Sequence, residues 1–275
     1  MTSHERRVLI LCKTYPSPSA KYAETSCVAG MDSDGKLIRL YPVPFRLIGD
    51  DKQFKKWQWI TARLEKSKND HRSESHKLYV DTISCDEAEL PTDNYWLARR
   101  PWLDKLPVFE DFAVLEEARQ TQGTTLALLR PACITKLEIT PVACPTWSEE
   151  EKAKLVSLQQ QAQLFDDTDT GSVAHLRKLP YDFHYHYECQ AADGAQTYKH
   201  KIVDWEIGAL YWNVHRRHGS NWEQPFRDKL ENNLPAQDLM FLMGTIHRFP
   251  DQWLIVSLIY PPRQRPWQEL QESLF

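Results

Sequence analysis

Residues 22–46 read YAETSCVAGMDSDGKLIRLYPVPFR, two β-type runs (24–31 and 36–41) around Asp32-Ser33-Asp34-Gly35. Asp and Gly there are what a tight hairpin turn requires. Alternation puts Ile38 and Leu40 on one face of the return strand and Leu37, Arg39 and Tyr41 on the other. Pro42 and Pro44 end that strand, because proline has no N–H for the ladder. A cation beside an aromatic on an open strand face can hold a stacked base and its phosphate. An ordinary amphipathic hairpin carrying a scattered Arg and Tyr has the same pattern.

The flanking sequence extends the hairpin into a β-rich unit. RVLILC (7–12) is a short apolar run, and WITARLE (59–65) and LYVDTISC (78–85) alternate, with a polar loop at 67–75 between them. Five short strands within the first ninety residues predict a small closed barrel of OB type, with SH3-like and PUA-like barrels as alternatives. A helix over 109–120 is stopped by Gly123, and a strand follows over 130–142. Ser148 and Glu151 form a capping box for a helix to about 164, and the acidic DDTDTG at 166–171 marks a boundary. Beyond it, 181–189 and 200–203 read as a strand pair. Asp204 caps a helix to about 218, Trp222, Phe226 and Leu230 share a helix face, and 239–247 and 253–260 are apolar strands. The fold class is therefore β-rich α+β. Residues 1–145 form an OB-like barrel region with a helical insertion, and 146–275 an α+β region that also admits a second, modified barrel.

Composition narrows the function classes. The chain has 275 residues, 41% of them hydrophobic, ample for packed cores and against disorder throughout. Six cysteines contain no C-x-x-C pair, which is against a zinc ribbon or a redox dithiol. No apolar run approaches the ~20 residues of a membrane span, so the expectation is a cytoplasmic protein without membrane contact. Net charge is −4, yet residues 36–77 hold eleven Lys/Arg against five acids, leaving −10 on the remainder. A basic segment on an acidic body suits a phosphate-binding face, and equally a solvated mixed-charge surface.

No hydrolase, kinase, dinucleotide or Gly-rich phosphate motif occurs, and nothing calls for a cofactor. His184, His186, Cys189 and His200 contain zinc-type ligands, but Cys189 falls on the strand face opposite His184 and His186; a row of strand histidines without metal is the other reading. Asp204, Glu206, His200 and His247 could make a metal-dependent nuclease or hydrolase, against which stands the ordinary use of Asp and Glu to begin a helix. Asp70, His71, Arg72, Glu74 and His76 could hold an acid–base pair or form a plain polar loop. The remaining set is basic and aromatic: Arg39, Tyr41, Arg46, Lys55, Lys56, Trp57, Trp59 and Arg63. It could line a nucleic-acid groove, while some of the tryptophans must fill the core.

Three segments taken together, KTYPSPSAKYAETSCVAG (13–30) running into IRLYPVPFR (38–46), KHKIVDWEIGALY (199–211) and MGTIHRFPDQWLIV (243–256), resemble a bacterial family of dual OB-fold proteins from conflict and anti-phage loci. The resemblance covers about residues 5–262. It implies two OB-like barrels and recognition of nucleic acid or nucleotides, with catalysis left to a partner protein encoded nearby. In that family the strand before the DWE motif ends in a Cys pair and a His; here Cys189 has no second Cys, so a metal is not carried over. Asp204, Trp205, Glu206, His247 and Arg248 are matched as motif positions without assigned chemistry. The expected function is a non-catalytic sensing or binding component for single-stranded DNA or RNA. A metal-dependent nuclease and a protein–protein adaptor are the alternatives.

Overall fold

The computed structural model describes residues 3–19, 23–151, 177–191 and 194–263. The N-terminal sheet is built from β1 (His4–Lys13), β3 (Ala23–Met31), β4 (Leu37–Val43), β5 (Trp59–Lys66) and β6 (Ser75–Leu78), with the short β2 (Ser17–Ser19) on β3 and β7 (Ser84–Cys85) on β5. Hydrogen bonding runs β1-β3-β4-β6-β5, and β5 returns to β1 from His4↔Leu64 to Leu9↔Trp59, so the sheet closes. β4 and β6 pair parallel and the other neighbours antiparallel. Counting the five main strands, the order is 1-2-3-5-4-1, a five-stranded Greek-key barrel of the OB type. Alternation fills it as expected: Ile38 and Leu40 join Val8, Ile10, Ile60 and Leu64 inside. The fifth strand is Ser75–Leu78 rather than 78–85, because Val80–Thr82 forms a 3-10 turn after it.

The second sheet repeats this order. Its strands are β8 (Val108–Phe109), β9 (Leu126–Leu129), β10 (Cys133–Pro141), β11 (Tyr181–Ala191), β12 (Gly194–Ile202), β13 (Met240–Ile246) and β14 (Phe249–Ile259). Pro131 lacks the N–H to continue a ladder, and it separates β9 from β10. β9 pairs with β13 and β10 with β11, so the broken strand joins both ends of β10-β11-β12-β14-β13-β9. β12 and β14 are the parallel pair. Between them in sequence lie α2 (Trp205–His218) and α3 (Glu223–Arg227), following α1 (Phe112–Gln122). The strand at 130–142 thus opens the second barrel instead of closing the first region. The change of sheet falls between Cys85 and Val108, not at residue 145. The capping box at Ser148 forms, Glu151 N–H reaching Ser148 Oγ at 3.2 Å, and the rest of that helix and the 166–171 boundary lie outside the described residues.

One apolar cluster crosses the seam. Leu9, Leu11 and Met31 of the first barrel pack with Leu242, Val256 and Ile259 of the second. Trp57, at φ +66, meets Trp96 edge-on at 5.3 Å, and Trp96 ends a left-handed turn with Asn94 and Tyr95. Such non-glycine backbone costs on the order of 1–3 kcal/mol per residue and persists only where packing over-determines it. Here the Arg99 guanidinium, 5.0 Å from the Trp57 ring and 4.8 Å from Trp96, fills the angle between them. Among the described residues no helix is long and apolar enough to cross a membrane.

Candidate nucleic-acid interface

In an OB barrel the face of strands 2 and 3, between the 1–2 and 4–5 loops, takes the ligand. Here that face opens on a cleft of about 1040 Å³ whose far wall is the second barrel. Thr14, Tyr15 and Ser17 come from the 1–2 loop, Cys27 and Arg39 with Tyr41 from β3 and β4, and Lys68, Asn69, Asp70 and Arg72 from the 4–5 loop. Gly244, Thr245, His247 and Arg248 close it from the opposite side, on β13 and the turn after it.

The floor is held by two buried arginines. Arg39 Nε donates to Glu74 Oε1 at 3.2 Å and Nη2 to the Thr125 carbonyl at 2.9 Å, while the Thr125 hydroxyl donates to the same Glu74 oxygen at 2.6 Å. Gly244 leaves the room this needs, since a Cβ there would sit 3.3 Å from both Arg39 terminal nitrogens. Arg72 clamps Asp70 through Nε (2.9 Å) and Nη2 (2.6 Å), and its Nη1 crosses to the Thr245 carbonyl at 2.7 Å. Burial alone would raise the Asp70 carboxyl, but the Arg72 guanidinium and amide hold it well below the usual carboxylate range. The Thr245 hydroxyl is buried in this wall and has no hydrogen-bond partner among the described residues.

The rim is different in kind. Tyr41 is 47% exposed. The Lys68 ammonium, with 66% of its side chain exposed, is a loose 3.8 Å from Glu65. Lys77 and Arg248 also line the cleft, and both are exposed. The inner cations bind protein, whereas Lys68, Lys77 and Arg248 are exposed on the same rim as the Tyr41 ring.

Of the eight residues expected to line a groove, the structure brings Arg39 and Tyr41 together and buries Trp57 in the core between the barrels. Arg39 is a correction in role: it shares the Tyr41 face, but the second barrel covers that end of β4 and buries it. Arg46 lines an adjoining recess. The other four lie elsewhere. Lys56 donates to Glu206 at 2.9 Å and to the Leu258 carbonyl at 2.8 Å in a separate recess. Lys55 pairs with Glu89, Trp59 is buried edge-on against Trp102 at 4.8 Å, and the Arg63 guanidinium lies 4.3 Å from the Tyr79 ring. The missed residues are Tyr15, Lys66, Lys68, Lys77 and Thr245. For the three lysines the signal was the basic count of 36–77 and the polar loop 67–75, which an OB strand order places beside the ligand face; nothing in the sequence marked Tyr15 or Thr245.

The metal and nuclease sets are not assembled. On β11 and β12, His184 and His186 pair with Lys201 and Lys199 on the outer sheet face, while Cys189 and His200 point inward. Burial and the neighbouring His184 lower the His200 pKa to about 4, and its Nδ1 shares a hydrogen bond with the Tyr187 hydroxyl at 2.9 Å. Asp204 caps α2, accepting from Glu206 N–H at 2.8 Å, and its other oxygen takes Leu258 N–H and Ser257 Oγ. Burial would lower the nearby Lys56, but Asp204 and Glu206 outweigh it and keep the ammonium charged. The acid is structural, and His247 lies apart from it, in the cleft. Among the described residues the one metal-compatible group is Asp70, His71 and His247. Both Asp70 oxygens are held by Arg72, and His247 Nε2 donates to the Asn69 carbonyl at 2.9 Å, so the group ties the two 4–5 loops together. The loop residues read as an acid–base pair make no such pair: Glu74 serves Arg39, and His76 Nδ1 faces the Glu74 carbonyl.

Fold and cleft together define a two-barrel β protein with a ligand-type face at its seam. Residues 111–275, more than half of the chain, match the family model described as Domain of unknown function (DUF8757), and the chain belongs to that family. Residues 4–105 match a second model, Domain of unknown function (DUF8758). The two matches meet where the sheets change. A search of curated proteins gave no match. A chain from a solved structure of a replication protein A heterotrimer bound to ssDNA is similar over 99% of this chain and 68% of its own, at 8% identity and a TM-score of 0.27. The OB assignment rests on strand order and not on that alignment.

Proposed function

We propose that this protein is a non-catalytic component that binds single-stranded nucleic acid in the seam cleft. The observation that carries the reading is the coincidence of the OB ligand face with an open cleft rimmed by Tyr41, Lys68, Lys77 and Arg248. Exposed cations supply sequence-independent phosphate attraction, and a base stacked on an aromatic ring adds about 1–3 kcal/mol. A duplex would have to unpair to stack a base there, which favours single strands. The repeated barrel order agrees with the resemblance to dual OB-fold proteins of bacterial conflict loci. On that reading the chain acts in the cytoplasm as the sensing part of a defence system, with chemistry left to a partner protein encoded nearby. Ultraviolet crosslinking of a thymidine-containing single strand, followed by peptide mapping, tests the location. Crosslinks in the peptides of Tyr15 or Tyr41 are expected; crosslinks confined to the outer face of β11 and β12 would contradict it.

A further inference from the structure

The tie between the two 4–5 loops leaves coordinating capacity unused. Asp70 and His71 follow the fourth strand of the first barrel, and His247 follows the fourth strand of the second, so equivalent connections of two like barrels face one another. Two hydrogen bonds fix their approach, Arg72 Nη1 to the Thr245 carbonyl at 2.7 Å and His247 Nε2 to the Asn69 carbonyl at 2.9 Å. The Arg72 and Asp70 side chains are buried, whereas His71 and His247 are exposed. One carboxylate oxygen of Asp70 and one nitrogen of each imidazole lie within 4.8 Å of one another.

Each of the three donors has a lone pair to give. A carboxylate offers about four acceptor sites. Arg72 takes three of them, its amide and Nε on Oδ1 and its Nη2 on Oδ2. A carbonyl only accepts, so His247 Nε2 carries the proton of the neutral ring and Nδ1 keeps a lone pair. Metal-ligating histidines are held in this way, with the other N–H on a backbone carbonyl, and ligating carboxylates are hydrogen-bonded in turn. His71 makes no hydrogen bond or ion pair among the described residues. Its ring lies against that of His247, 5.6 Å between centroids and inclined by 33°. The two hydrogen bonds already join the loops, and they give no reason for a second imidazole beside the first.

We infer that Asp70, His71 and His247 form a site for a zinc-type divalent ion that clasps the two barrels at the edge of the cleft. Two imidazoles and a carboxylate suit zinc and its first-row neighbours, whereas magnesium and calcium favour oxygen donors throughout. Ligand atoms about 2.0–2.2 Å from an ion stand roughly 3–4 Å apart, so small rotations of the two exposed rings complete the site. Three protein ligands leave a further position to solvent. Arg72 orients the carboxylate, and its charge also opposes the ion, which sets the affinity below that of the same ligands without a guanidinium. The clasp does not depend on what the cleft binds.

The test titrates the untagged full chain, freed of metal by a chelator, with Co²⁺ followed by visible absorption, and then displaces it with Zn²⁺. One ion per chain is expected. His71→Ala and His247→Ala should each weaken binding by more than the about 10–100-fold that losing an outer-shell partner costs. Both side chains are exposed, so the metal-free unfolding midpoints should stay close to wild type. Zn²⁺ should raise the midpoint of wild type and not of the variants, and Mg²⁺ should raise neither. Wild type that binds no ion overturns the site. So does Co²⁺ affinity unchanged in both variants, or binding lost only in His186→Ala, on the outer face of β11. An equal Zn²⁺ shift in wild type and variants overturns the clasp.

Discussion

Glu74 Oε1 is the point at which three segments meet: Arg39 Nε from β4 donates to it at 3.2 Å, and the Thr125 hydroxyl from the start of β9 donates at 2.6 Å. The two ionic side chains retain 3% and 9% of their exposure, and Arg39 Nη2 continues to the Thr125 carbonyl. The pair therefore joins the barrels across the floor of the cleft. Breaking a buried pair from one side leaves an uncompensated charge. Arg39→Ala is predicted to lower unfolding free energy by about 3–5 kcal/mol in urea titrations. A loss below about 1 kcal/mol, the range of exposed pairs, would contradict this role.

Gly244 sits beneath the same guanidinium. A Cβ there would meet Val256 Cγ1 at 3.2 Å and both Arg39 terminal nitrogens at 3.3 Å. Arg39 is held by Glu74 and Thr125, so it has little freedom to retreat. Gly244→Ala is predicted to cost about 1–3 kcal/mol, the range for overpacking a filled site. If Arg39→Ala makes room, the two costs will sum to less than their separate values, a coupling that a double-mutant cycle reads directly.

His200 gives the fold an acid-side weakness. Burial lowers its pKa from 6.5 to about 4 in the folded chain, where the neutral imidazole shares a hydrogen bond with the Tyr187 hydroxyl. The unfolded chain takes up the proton first as pH falls, so the stabilisation is fully present above pH 6.5 and is lost on descent toward 4. The effect is on the order of 3 kcal/mol. Unfolding free energies at pH 7 and pH 4.5 should differ less in His200→Gln than in wild type. Equal pH dependence in the two proteins would contradict the assignment. Glu116, which Arg119 holds down to about 2, contributes the same pH dependence to both proteins and cancels in the comparison.

Asp204 separates a structural from a catalytic reading. Asn is also a good N-cap, so Asp204→Asn keeps the bond to Glu206 N–H and removes the charge beside Lys56. The expected result is a folded protein with reduced stability and unaltered single-strand affinity. Metal-dependent strand cleavage by wild type that disappears in Asp204→Asn would contradict the structural role.

The sequence made local structure legible because strand and cap patterns are local. Ile38 and Leu40 fill the barrel, Asp204 caps the helix that ends at His218, and Trp222, Phe226 and Leu230 are buried on one face. What covers an outer strand face is not local. Arg39 and Tyr41 alternate identically, yet the second barrel covers one and leaves the other open. The strand expected over 130–142 ran through Pro131, which instead marks the point where one strand divides between two neighbours. His200 lies on the same hairpin as His184, and only the register of β11 with β12 puts them on opposite faces. The site was half legible for the same reason. Its β4 residues belong to an alternating strand, whereas Lys68 and Arg248 come from turns that only the closed strand order brings face to face.

The most direct measurement of the central claim is an anisotropy titration of a single-stranded oligonucleotide of about 20 nucleotides against wild type and Tyr41→Ala/Lys68→Ala/Arg248→Ala, at two salt concentrations. Wild type should bind and weaken with salt, and the variant should bind at least about tenfold more weakly, with the log–log salt slope reduced by about 1.4 for the two lost cations. The variant should keep the wild-type unfolding midpoint, since all three side chains are on the rim. Equal affinity and equal slope in the two proteins, or no binding by wild type at low salt, would contradict the cleft as a nucleic-acid site.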